Sequence, residues 1–364
     1  MEEILRNAKC RSKIWSSVLS ISFLALFISF IAASDLAQVA SFAFPGHEPV
    51  EIPRAWRPLI GEYGREQASF LVLEKSGKLV LRENDGTEVA LQRALGGTFT
   101  LRKAPGAPLP VYFGGELKGH ATSVSVGDLT FPRRTLDSEE GQSFRVQLTR
   151  SIEELRQEAL AASPPHEDGQ FREPDLVDLA SLEPNIHLDI RYATANDFLG
   201  TPVYTQARAL LQRPAADALL RALLRLKPLG YGLLIHDAYR PWYVTKIFWD
   251  ATPSEGKIFV ADPAQGSRHN RGCAVDLTLY ELKTGKPIQM PGTYDEMSPR
   301  SFPDYPGGTS LQRWHRDLLR WAMESEGFTV YEHEWWHFDF KDWHVYPILN
   351  VPFEKLQFST RQVR

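Results

Sequence analysis

Between residues 44 and 149 apolar positions come in short runs broken by turn formers. Residues 68–74 and 78–82 are two such runs, and Lys75-Ser76-Gly77, Asn84-Asp85-Gly86 and Gly114-Gly115 punctuate the segment. This rhythm predicts short strands and a small antiparallel sheet or barrel. Near residue 150 the pattern changes. Ile152-Glu153-Glu154-Leu155 through Ala161-Ala162 predicts a short helix, which Ser163-Pro164-Pro165 and Gly169 break, so residues 150–173 read as a linker. Beyond it the period becomes helical. Leu219, Leu220, Leu223 and Leu224 share one face over 214–227, with Pro214 at the start and Pro228 and Gly230 past the end. Residues 231–237 form an apolar strand, and Arg240-Pro241 opens a helix through Ile247 and Trp249. Leu311, Trp314, Leu318, Leu319, Ala322 and Met323 predict a helix over 310–325. Gly327 ends it, and residues 328–340 are aromatic and strand-like. Helices and strands come in runs rather than as βαβ repeats. The pattern predicts an α+β domain over 174–364, with a central antiparallel sheet and flanking helices, preceded by a small all-β domain.

The first 34 residues follow another rule. Arg6, Lys9, Arg11 and Lys13 precede an uncharged stretch over 14–34, and Ala32, Ala33 and Ser34 precede Asp35. That is the layout of a secretory signal peptide, and the stretch is also long enough for a membrane anchor. The expected location is secreted or periplasmic, or membrane-anchored and facing the periplasm through that segment alone.

Composition narrows the picture. The 364 residues carry a formal charge of −4, which gives no electrostatic reason to expect a nucleic-acid partner. Cys10 and Cys273 are the two cysteines. Removal of the leader would leave Cys273 alone, so no disulfide framework is expected.

Two segments hold the candidate chemistry. Ser267-Arg268-His269-Asn270-Arg271-Gly272-Cys273-Ala274-Val275-Asp276 and Glu334-Trp335-Trp336-His337 together offer two imidazoles, a carboxylate able to bind metal and a spare carboxylate. A catalytic zinc site needs three protein ligands, an open position and a base beside the water. Gly272 allows a sharp turn, so His269 can sit on a loop while Asp276 enters a strand. In that strand Asp276 and Thr278 share one face. Glu334 and His337 are three apart, which a regular strand would send to opposite faces, so the segment must bulge or turn to bring both to one metal. The helical His-Glu-x-x-His arrangement is not the one used here.

Over residues 189–340, roughly half the chain, the sequence resembles the VanX-type D-alanyl-D-alanine dipeptidases, zinc D,D-peptidases that share a fold with the Hedgehog signalling domain. The resemblance rests on Asp189-Ile190-Arg191-Tyr192-Ala193-Thr194, on Asp237-Ala238-Tyr239-Arg240-Pro241, and on the two segments above. It implies one zinc ion per chain held by His269, Asp276 and His337. It implies that Glu334 takes a proton from the attacking water and passes it to the leaving amine, while Arg240 stabilises the oxyanion. Ser267 and Tyr192 match substrate-contacting positions, and Asp295 in Gly292-Thr293-Tyr294-Asp295 matches the acid that holds the substrate's free amine. The implied substrate is D-Ala-D-Ala or a related small D-amino-acid peptide. Residues 56–64 loosely resemble a small β-module appended to some serine β-lactamase-like hydrolases, and no function follows from that.

Two other functions fit the same residues. One is a zinc D,D- or L,D-carboxypeptidase acting on peptidoglycan stems; the other is a non-catalytic, Hedgehog-like wall-binding domain. Asp295 favours a free amine close to the scissile bond, and the presence of both Glu334 and Arg240 argues against a dead site. Each residue also has an ordinary alternative. Arg240 could pair near a helix start, Asp295 could serve a turn, and Glu334 could be a solvated acid. Trp335 and Trp336 read as packing and Cys273 as a small buried residue. His120, His236, His333 and His344 are not needed as ligands.

Overall fold

The computed structural model describes residues 42–65, 68–102, 106–134 and 144–356. The leader or anchor segment and Cys10 lie outside the described residues. No described helix is long and apolar enough to cross a membrane.

Eight short strands follow one another in an antiparallel meander: β1 (Gly61–Arg65), β2 (Ala68–Lys75), β3 (Lys78–Glu83), β4 (Glu88–Arg93), β5 (Phe99–Leu101), β6 (Leu109–Gly114), β7 (Ser123–Val126) and β8 (Leu129–Pro132). The sheet closes on itself. Tyr63 in β1 bridges Arg133 just after β8, and Arg134 N–H donates to the Glu62 carbonyl at 2.8 Å. Of the two arrangements that the turn spacing allowed, this is the barrel. Its interior is apolar, with Phe70, Val72, Leu79, Leu81, Leu101, Val111 and Val124 among its buried residues. The β2–β3 turn needs φ above zero at both central positions, and Ser76 (50°) and Gly77 (75°) supply it.

The larger core belongs to the C-terminal region. Its five-stranded sheet has the order β10 (Ile186–Leu188), β12 (Tyr231–Asp237), β13 (Ala274–Glu281), β15 (Glu334–Phe340), β14 (Phe328–Tyr331). The expectation of a wholly antiparallel sheet needs correction: β10 pairs with β12 in parallel, and only the other three pairings are antiparallel. Helix α3 (Arg213–Leu226) is the crossover that returns the chain in the same direction. A two-stranded ribbon of β9 (Leu176–Asp178) and β11 (Leu210–Gln212) leads into it, with the one-turn helix α2 (Leu179–Leu182) after β9. Helix α3 buries its Ala and Leu face, and Gly230 at φ 91° stops the chain just beyond it. Helix α5 (Ser310–Glu324) begins with a capping box between Thr309 and Gln312.

Helix α1 (Ile152–Ala161) lies in the segment read as a linker. Its side chains Ile152, Leu155 and Ala159 are buried in the C-terminal core, against α4 (Trp242–Ala251). The barrel docks through the β2–β3 hairpin. Buried Glu74 accepts from Ser310 N–H at 2.7 Å and from Ser310 Oγ at 3.2 Å, placing a carboxylate at the N-terminus of α5.

Candidate active site

The site forms where three loop-to-strand junctions meet at one end of the sheet. His269 starts a 3-10 turn that Gly272 ends at φ 65°. That left-handed conformation favours glycine, and a Cβ there would also meet Leu176 Cδ2 at 2.4 Å, so the Leu176 side chain would have to move. Ser267 Oγ accepts from His269 N–H at 3.2 Å. Asn270 ties this turn to the next one, with Nδ2 donating to the Arg240 carbonyl and to Thr245 Oγ1, each at 2.8 Å. Strand β13 then brings in Asp276, with Val275 and Leu277 facing the core on the other side. Along the β14–β15 pair the register jumps from Val330 opposite Phe338 to Tyr331 opposite Glu334. That bulge turns both Glu334 and His337 into one cavity.

His269, Asp276 and His337 form a cluster. His269 Nε2 lies 3.1 Å from His337 Nδ1 and 3.3 Å from Asp276 Oδ1, which lies 3.1 Å from His337 Nδ1. Tetrahedral ligands at zinc-bond length sit about 3.3 Å from one another, so the spacing fits such an ion. Asp276 Oδ1 is buried with no hydrogen-bond partner, a costly state that a cation would relieve. The far nitrogens of both rings are engaged. His269 Nδ1 lies 2.6 Å from the Ala238 carbonyl, and His337 Nε2 lies 2.9 Å from Asp339 Oδ1. Donating N–H there leaves the inner nitrogens as lone-pair ligands. Burial opposes the ionisation of Asp276, but His269 and His337 hold its carboxyl well below the usual range. Cys273 is fully buried outside the cluster, and burial pushes its thiol up to about 12.

Around the cluster stand three ionisable groups. Glu334 Oε2 lies 3.7 Å from His337 Nδ1. Burial pushes its carboxyl up to about 8, with His337 opposing and Asp276 adding to the shift. A cation between the ligands would pull it down again. Arg240 donates to Asp237 Oδ2 through Nε at 2.9 Å and lies 2.8 Å from it through Nη2. Nη2 also stands 3.7 Å from Asp276 Oδ2. Asp237 is fixed in turn by the Tyr204 hydroxyl at 2.7 Å. Burial works against charge on Arg240, yet Asp237 and its other neighbours keep its pKa well above ordinary, so the guanidinium stays charged. Asp295 occupies a left-handed backbone conformation, φ 59°. Its Oδ1 accepts from the Tyr192 hydroxyl at 2.9 Å, while its buried Oδ2 has no partner. Burial, then Asp276, pushes this carboxyl far above the usual range.

All eight residues singled out in the sequence line a single cavity of about 440 Å³: Glu334, Arg240, Ser267, Tyr192, Asp295, His269, Asp276 and His337. Trp336 lines it too, His333 stands at its rim, His236 stacks on Tyr294 outside it, and exposed His344 takes no part. Sequence reasoning missed the supports. Asp339 could have been found from strand parity, two residues beyond His337. Asp237 lies inside a quoted motif, three residues before Arg240. Asn270 and Tyr294, whose hydroxyl donates to Asp276 Oδ2 at 3.1 Å, also lie inside quoted motifs, whereas Tyr204 gave no local signal.

The family model for Peptidase_M15, described as D-ala-D-ala dipeptidase, matches residues 172–357. The chain belongs to this family. It is therefore a metallopeptidase of the VanX type, from a family that is zinc-dependent. Curated relatives agree. The chain is similar to the D-alanyl-D-alanine dipeptidase of Escherichia coli K12, 37% identical over 175 residues that span 48% of this chain and 89% of that protein. The enzyme of the same name from Enterococcus faecalis is 35% identical over 175 residues, 43% of this chain and 87% of its own. That from Streptomyces coelicolor is 34% identical over 186 residues, 46% and 92% respectively. The match to the family begins at residue 172, so the barrel lies outside it.

Proposed function

We propose that the protein hydrolyses D-alanyl-D-alanine to D-alanine with one zinc ion held by His269, Asp276 and His337. The observation that carries this reading is the lining of one 440 Å³ cavity by those three residues together with Glu334, Arg240 and Asp295. Zinc, when bound, lowers the pKa of a water toward about 7 and polarises the scissile carbonyl. Glu334 accepts the proton of the attacking water and delivers it to the leaving amine. Arg240, locked by Asp237, presents a fixed guanidinium to the developing oxyanion and needs no reorganisation to do so. Asp295 offers its unpartnered oxygen to the substrate ammonium, whose charge offsets the cost of ionising a buried carboxyl. Ser267 keeps a hydroxyl proton to donate to the substrate carboxylate.

An acid for a free amine favours a dipeptide over a longer stem peptide, which has an amide at that point. The basic segment and apolar stretch over residues 1–34 support a location outside the cytoplasm. There the enzyme would turn over released dipeptides rather than intercept a cytoplasmic wall precursor. Parallel assays on D-Ala-D-Ala and on a stem pentapeptide test the proposal. Preferential release of D-alanine from the dipeptide is expected; cleavage of the pentapeptide alone would favour the carboxypeptidase reading.

A further inference from the structure

The loop that carries Asp295 is built as a closed unit. Its two ends touch: a Cβ at Gly292 would meet the Arg300 carbonyl oxygen at 2.3 Å, so a side chain there would displace backbone. Buried Glu296 gathers donors from both halves of the loop. Thr293 N–H and Thr293 Oγ1 each donate to its Oε2 at 3.1 Å, and Ser298 Oγ donates to its Oε1 at 2.6 Å. Asp295 stands immediately before this carboxylate, at φ 59°. A residue with a Cβ keeps such a conformation only where its surroundings over-determine it. The loop supplies Asp295 and Met297 to the wall of the catalytic cavity.

The chain that follows this loop is gripped by the barrel. The Tyr305 hydroxyl donates to Glu62 Oε1 in β1 at 3.1 Å. In β2, the backbone N–H of Glu74 donates to the Gly308 carbonyl at 3.1 Å. Arg313 reinforces that joint. Its Nη1 donates to the carbonyls of Pro306 at 3.1 Å, Gly307 at 3.0 Å and Gly308 at 3.1 Å, while its Nη2 donates to the Glu74 carbonyl at 2.6 Å. Glu74 and Tyr305 are buried, where hydrogen bonds are electrostatically stronger than in water. Gly308 in turn lies against Pro291, the residue before the loop, and a Cβ on it would stand 3.5 Å from Pro291 Cα. The barrel therefore holds the neck at which the two sides of the segment over 291–308 come together. Docking that merely joined two regions could use any surface; these contacts converge on the backbone leaving the Asp295 loop.

We infer that the barrel is a positioning element of the active site: through Glu62 and Glu74 it clamps the neck of the loop, and so sets where Asp295 meets the ammonium of the substrate. Glu62, Glu74 and Tyr305 are then positioning residues for substrate binding, although none of them lines the catalytic cavity. The inference rests on the reading of Asp295 given above. The loop holds none of the proposed zinc ligands, nor Glu334 or Arg240, so loosening it should raise KM and leave kcat. Tyr294 of the same loop donates to Asp276 Oδ2, which makes zinc content a necessary control.

The test is steady-state kinetics on D-Ala-D-Ala with the full zinc-loaded chain, with zinc content and melting temperature recorded for each sample. Wild type is compared with Tyr305→Phe, which removes only the hydroxyl on Glu62, with Glu74→Gln, with Asp295→Asn and with the double variant Tyr305→Phe/Asp295→Asn. Tyr305→Phe and Glu74→Gln should each raise KM at least about threefold, with kcat within about twofold of wild type and zinc retained. A merely structural contact would lower the melting temperature and leave KM alone. In the Asp295→Asn background, Tyr305→Phe should add almost nothing to KM, because both changes act through one contact. Unchanged KM in both barrel-contact variants while Asp295→Asn raises it, or an undiminished effect of Tyr305→Phe in the Asp295→Asn background, would overturn the inference and leave the reading of Asp295 standing. Unchanged KM in Asp295→Asn would overturn both. Should Glu74→Gln fail to fold, Tyr305→Phe decides alone.

Discussion

Asp339 Oδ1 lies 2.9 Å from His337 Nε2, on the side of the imidazole away from the ligand cluster. Two residues apart on β15, the pair shares a strand face, and the carboxylate sets which ring nitrogen carries the proton. Burial opposes charge on His337, yet Asp339 and Asp276 raise its pKa well above ordinary. Asp339 is thus a positioning residue for a proposed ligand. Asp339→Ala should weaken zinc affinity about 10–100-fold, measured by competition with a chromogenic chelator. Unchanged affinity would remove Asp339 from the account.

The guanidinium of Arg240 should matter for rate and not for metal. Arg240→Ala should keep its zinc and lose about 2.7–4 kcal/mol of transition-state stabilisation, read as a fall in kcat on D-Ala-D-Ala. Arg240→Lys should recover little, because an ammonium cannot reproduce the two contacts from Nε and Nη2 to Asp237. Full activity in the lysine variant would mean that only the charge is needed.

Helix α1 bears on where the catalytic region can be cut. A fragment beginning at residue 174 lacks Ile152, Leu155 and Ala159, which are buried in the C-terminal core. Loss of two large apolar side chains from a core costs about 4–10 kcal/mol in total, comparable to the stability of a whole domain. A fragment beginning at residue 144 should therefore melt cooperatively, and one beginning at 174 should not. Equal melting temperatures by circular dichroism would show that α1 is dispensable.

Burial lowers the pKa of His315 on α5 to about 4, while its unfolded value is about 6.5. The unfolded chain then binds the proton first as pH falls. The neutral ring's contribution is complete above about pH 6.5 and is lost as pH drops through 4, a change of about 3 kcal/mol. Urea unfolding of the wild type should show that slope, and His315→Gln should flatten it. An identical slope in the variant would assign the pH dependence to other groups.

The elements that the sequence revealed are those with local signatures. Helix α3 carries its proline start and glycine stop within one window, and the β2–β3 turn carries Ser76-Gly77. Gly272 and the three-residue Glu334–His337 spacing each demand a particular backbone and were legible as such, while the metal-holding roles proposed for His269, Asp276 and His337 came from the family resemblance. What stayed hidden is set by distant pairing. The three-residue strand β10 is too short to show a period, so its parallel pairing with β12 could not be read. The docking of α1 depends on α4, which begins at Trp242, far along the chain from the end of α1 at Ala161. Tyr204 reaches Asp237 across 33 positions, and no local pattern announces such a contact.

The most direct test removes the base and leaves the metal. D-alanine release from D-Ala-D-Ala is measured for the wild type and Glu334→Ala, with zinc content determined on the same samples. The account predicts one zinc per chain in both and a rate about 10²–10⁴ lower in the variant. Wild-type turnover by zinc-loaded Glu334→Ala, or a zinc-loaded wild type that releases no D-alanine, would contradict it.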